Sequence, residues 1–165
     1  MAFQIDSRMD PRLSPLAWMI GHWEGTGNGQ IDGRGFEYGV TIDVSENGGN
    51  YLHYIMQWFQ TDAQGHATAS LGLETGFWRP QADGVVELVM AHPEGYAEIY
   101  LGQIDGAKIA LTTDVVARTV TADPPVSGGH RLYGNVESDL LFTYDRGTAD
   151  QPLGAYLWAR LKRMS

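Results

Sequence analysis

Clusters of turn-forming residues interrupt this chain at nearly regular intervals from Gly21 onward, and no helix-length period survives between them. Asp32-Gly33, the run Glu46-Asn47-Gly48-Gly49-Asn50, Asp83-Gly84, Pro93-Glu94-Gly95, Asp105-Gly106 and Ser127-Gly128-Gly129 each close a short segment rich in aromatic and β-branched residues. The segments are residues 23–31, 36–44, 51–60, 68–78, 85–91, 96–104, 108–116, 118–121, 130–136, 140–144 and 153–162. A spacing of roughly 8–12 residues predicts about ten strands in an all-β barrel or sandwich. The turns are short, so sequence neighbours pair as an antiparallel up-and-down meander. Closing that meander into a barrel removes its edges, and a barrel of this size has room for one ligand. A short helix is expected before Gly21, with Ser14 as cap and Pro15 in its first turn.

At 165 residues the chain reads as one domain, 1–165, with residues 1–13 as an N-terminal extension. Eleven Lys and Arg stand against 20 Asp and Glu, a net charge of -9. Such a surface repels phosphate backbones and anionic lipid heads, so neither nucleic acid nor membrane is expected as a partner. No apolar run approaches the roughly 18 residues that span a bilayer. The opening residues lack the basic-then-apolar layout of a secretory signal. The absence of cysteine removes disulfides and thiol chemistry and fits a cytoplasmic protein.

Few residues carry a chemical signal. His92 ends an apolar strand and shares a face with Val86, Leu88 and Met90, which puts an imidazole in a mostly apolar cavity if that face points inward. A histidine so placed is more often structural than a ligand. The run Gly21-His22-Trp23-Glu24-Gly25-Thr26-Gly27 is not a phosphate loop, because no helix follows it; its glycines share one strand face and suit a curved seam. Arg79 beside Trp78 offers a cation–π pair. Glu74, Glu87 and Glu98 read as outward positions of alternating strands. In the last segment Tyr156, Trp158, Arg160 and Lys162 share a face, and the aliphatic face opposite belongs either to the core or to a homodimer seam. The remaining histidines have no metal-binding spacing, and there is no nucleophile elbow.

Taken in order, Gly21, Trp23, Gly25 and Gly27 (a GxWxGxG pattern), Gly76-Phe77-Trp78-Arg79-Pro80, Ala91-His92-Pro93-Glu94-Gly95 and Gln151-Pro152-Leu153 resemble the landmarks of the nitrobindins from about Leu16 to Arg163. The resemblance implies a ten-stranded barrel like that of lipocalins and fatty-acid-binding proteins. It also implies a ferric haem b in the mouth, bound by a histidine of the last strand, and nitric oxide or peroxynitrite chemistry. Here the family's QPxxxHL pattern reads Gln151-Pro152-Leu153-Gly154-Ala155-Tyr156-Leu157, with tyrosine at the ligand position. A second histidine of some members falls on Gly72.

Two expectations follow. In one, Tyr156 ligates ferric haem as a phenolate, with His92 and Trp158 as pocket residues and Arg146 or Arg160 as the cation favouring the anion. In the other, haem is lost and the cavity carries a different small apolar ligand without catalysis. No residue is assigned a catalytic role, so peroxynitrite isomerase activity rests on the resemblance alone.

Overall fold

A closed wall of β-structure accounts for nearly all of the chain. The computed structural model describes residues 8–164. Among them are ten antiparallel strands: β1 (Gly21–Ile31), β2 (Arg34–Ser45), β3 (Leu52–Thr61), β4 (Ala67–Pro80), β5 (Val85–His92), β6 (Tyr96–Asp105), β7 (Lys108–Arg118), β8 (Val126–Val136), β9 (Asp139–Thr148) and β10 (Gly154–Arg163). Each pairs with its neighbours in sequence, and β10 pairs with β1 to complete the ring. The expected segment at 118–121 is not a separate strand: Arg118 ends β7, and the Thr119 amide turns back to donate to the Gly95 carbonyl at 2.9 Å.

Closure depends on the glycines of β1. Gly25, Gly27 and Gly29 lie opposite Leu161, Ala159 and Leu157 of β10. A Cβ on Gly25 would sit 2.2 Å from the Arg160 carbonyl oxygen, and one on Gly27 would sit 2.4 Å from that of Trp158. The last strand therefore approaches the first more closely than side chains permit. Trp23 precedes this stripe, fully buried, and its indole N–H donates to the Met19 carbonyl at 2.8 Å.

Met19 belongs to a short 3-10 helix, Pro11–Met19, that plugs one end of the barrel with Leu13, Leu16 and Met19. It starts earlier than the sequence suggests, with Asp10 rather than Ser14 as its cap. Pro15 lies inside it, where its ring and missing amide donor disfavour a continuous α-helix. Leu13 is core, so the segment read as an extension reaches only as far as this helix; residues 1–7 lie outside the described ones. Because strands alternate in direction, the β1–β2, β3–β4, β5–β6, β7–β8 and β9–β10 turns gather at the opposite end, which forms the mouth.

The interior is largely filled. Tyr38, Tyr54, Trp78, Tyr133 and Phe142 are buried there, and Tyr54, Trp78 and Tyr133 meet edge to face with centroids 5.1–6.2 Å apart. Gly27→Ala, which drives a methyl into backbone and the Tyr38 ring, should lower stability in urea melts by about 1–3 kcal/mol. Gly35→Ala, whose Cβ meets nothing nearer than 3.8 Å, should change it by less than about 0.5 kcal/mol.

Candidate functional site

Tyr156 sits at the mouth because β10 carries a bulge there. Ala155 pairs with Asp145 and Leu157 with Tyr144, leaving Tyr156 as the extra residue. A bulge resets the alternation of everything beyond it. Leu157 and Leu161 are therefore core, while Trp158 is 37% exposed on the outer wall, with Arg160 tied to Asp139 at 2.6 Å. Tyr156 and Trp158 do not share a face as the sequence suggested, and Trp158 lies outside the barrel rather than in a pocket. The aliphatic side of β10 is core and not a subunit seam.

The Tyr156 ring packs edge to face on Tyr144, centroids 5.5 Å apart, and the Arg146 guanidinium carbon lies 3.7 Å above its centre. Burial pushes the phenol above its ordinary pKa, and Arg146, which pulls the other way, does not offset it. Around the ring lies a groove of about 290 Å³ bordered by Ile31, Phe36, Glu37, Trp58, Gln60 and Leu71. A second groove of about 230 Å³ shares Ile31 and Tyr156 and includes Asp32, Arg146 and Gly154.

His92 does point inward, as alternation predicts, but its surroundings are not apolar. Its ring stacks on Tyr96 with centroids 4.0 Å apart, Nε2 lies 3.3 Å from Glu98, and Nδ1 lies 3.8 Å from Glu74. Glu74 and Glu98 are buried inside the barrel and not on its surface. Arg131, also buried, donates to both Glu74 oxygens at 2.6 and 2.8 Å and lies 3.8 Å from Glu98 and 3.8 Å from the Tyr144 ring centre. Sequence reasoning missed this network. Its signal was the parity of Glu98 with Tyr96 and Tyr100, and of Arg131 with Tyr133. Arg79 pairs with Glu87 at 3.1 Å instead of with Trp78, because adjacent strand residues face opposite ways. Among the described residues, no group of three or more His, Asp or Glu could hold a metal ion.

The network is charged by design of its geometry. Burial opposes the Glu74 carboxylate, but the bidentate Arg131 and the Tyr54 hydroxyl overcome it and hold the group below the ordinary glutamate value.

A haem at the mouth needs an axial donor and a face for the macrocycle. The donor position holds a phenol that burial keeps protonated and that Tyr144 and Arg146 already engage. Gly72, where the resemblance puts a second histidine of some members, is covered: a Cβ there would lie 2.2 Å from the Trp58 indole. The two grooves that meet at the ring, about 290 and 230 Å³, each fall below the roughly 300–1,000 Å³ of pockets for drug-sized ligands. The residues present do not fit a haem.

Comparison with known proteins places this geometry. Residues 12–163 match a family described as THAP4-like, heme-binding beta-barrel domain. The chain is 56% identical to a ferric nitrobindin-like protein of Cutibacterium acnes and 40% identical to a peroxynitrite isomerase of a Nocardioides species, each match covering 99% of both chains. A crystal structure of Rv2717c from M. tuberculosis superposes with a TM-score of 0.82 at 31% identity, covering 96% of this chain and all of that one.

Because the folded Glu74 is more acidic than the unfolded one, the pair stabilises the barrel above the ordinary glutamate range and its contribution is lost as pH falls. Urea midpoints should therefore drop as pH falls below about 4.3. Glu74→Gln should lose about 3–5 kcal/mol at pH 7 and show a shallower acid decline.

Proposed function

The chain belongs to the nitrobindin family of haem-binding β-barrels, and we propose that within it this protein is a haem-less binder of a small ligand at the barrel mouth. One observation carries the reading: where the family's pattern has an imidazole, this chain has a bulged, half-buried Tyr156 clamped between Tyr144 and Arg146, with Trp58 lying over Gly72 across the mouth. A phenol must lose its proton to bind ferric iron, and burial opposes that. What is left beside it is an aromatic-walled groove of about 290 Å³, suited to a molecule much smaller than a tetrapyrrole. Without coordinated iron, this chain carries no peroxynitrite chemistry of its own; it binds and releases.

Haem titration tests the reading. Added haemin should give wild type only weak binding, with a spectrum that Tyr156→Phe leaves unchanged. The double variant Tyr156→His/Trp58→Ala should gain stoichiometric binding and a sharp Soret band, and Tyr156→His alone much less, because Trp58 still fills the mouth. Stoichiometric haem in wild type, abolished by Tyr156→Phe, overturns the proposal.

A further inference from the structure

Among the described residues only two arginines are withdrawn from solvent, Arg131 and Arg146. Arg131 is neutralised by the bidentate Glu74. Among the described residues no carboxylate lies within ion-pair distance of Arg146, although the chain holds 20 acidic residues to 11 basic ones. A half-buried cation without an anion is unfavourable unless something else supplies one. The close partner of Arg146 is Tyr156, whose ring lies under the guanidinium face and whose hydroxyl it also reaches. Stacking of this kind leaves the N–H edges of a guanidinium free, in the fork that matches a carboxylate.

The backbone keeps those edges accessible. Opposite Arg146 on one side is Gly129 of β8, and on the other Gly154 of β10, so neither cross-strand neighbour has a side chain. A Cβ on Gly154 would meet nothing nearer than 4.0 Å. Tyr156 and Ile31 border both this polar groove and the aromatic one, so the two are contiguous around the phenol. Leu71 and Ile31, 43% and 49% exposed, leave apolar surface wet at the same rim.

Building on the mouth as a haem-less ligand site, we propose that its ligand is a small aromatic monocarboxylate, with the carboxylate on Arg146 and the ring against Tyr156, Phe36 and Trp58. The charge count sets the valence. Asp32 lines the polar groove and Glu37 the aromatic one, and Glu94 acts on Tyr156 from the β5–β6 turn. One guanidinium facing these carboxylates accepts one negative charge and repels a second. The site therefore selects a monoanion over a phosphate ester of the same ring.

The test uses three probes with one ring system: 2-naphthoate, 2-naphthylmethanol and 2-naphthyl phosphate, read by tryptophan quenching and calorimetry on the full chain. Naphthoate should bind at least tenfold more tightly than either of the others. Arg146→Met should weaken naphthoate at least tenfold and leave naphthylmethanol unchanged, while Arg146→Lys should recover part of the loss. Gly154→Val, which fills the space beside Arg146 and leaves the cation in place, should also weaken naphthoate. Near-UV circular dichroism of each variant reports whether the barrel is intact. If naphthoate binds no better than the alcohol, or Arg146→Met leaves it unaffected, the anion site is overturned and the ligand groove stands. If none of the probes binds, the groove itself is refuted.

Discussion

The barrel rests on one close approach, that of β10 to β1. A meander of ten strands has two edges, and each would otherwise offer a row of unpaired backbone groups to other chains. Closing them requires strong curvature, and the glycines at 25, 27 and 29 permit it by bringing no Cβ to the seam. Trp23 and the 3-10 helix then fill the end that closure leaves open, and Arg163, stacked on Trp23, donates to the Trp18 and Ile20 carbonyls to hold that plug in place.

With one end plugged and the middle filled by aromatics, polar chemistry is confined to the upper half. Two arginines divide it. Arg131 is committed to structure: it joins β8 to Glu74 of β4, with Glu98 of β6 and His92 of β5 alongside, and so ties strands across the interior. Buried pairs of this sort contribute little net stability but strongly penalise the loss of one partner, which suits a device that fixes a single packing. Arg146, two residues along β9 from the Tyr144 that pairs with Arg131, has no such partner among the described residues and lines the groove at the mouth. The two differ in what surrounds them: Arg131 meets Glu74 of β4 across the interior, whereas Arg146 has glycine opposite it on both neighbouring strands.

The tyrosine substitution gains its meaning from a backbone irregularity. Had β10 run without a bulge, Tyr156 and Trp158 would have shared a face and both would have been pocket residues or both surface residues. The extra residue sends the phenol inward to Tyr144 and the indole outward to solvent. The phenol ends as a ring packed on Tyr144 and stacked beneath a cation.

Turn spacing and two-residue alternation gave an all-β meander of about ten antiparallel strands, and put His92 on one face with Val86, Leu88 and Met90, because those are local consequences of backbone pleat and turn chemistry. Motif order placed the chain among the nitrobindins and exposed the missing histidine. Only the tertiary structure decided that Glu74, Glu98 and Arg131 meet inside, that Trp58 covers Gly72, and that Tyr156 lies under Arg146 while Trp158 points away. Those facts depend on strand register across the barrel and on one bulge. A single-residue slip reverses which face a side chain takes, and no local pattern in the sequence encodes where that slip occurs.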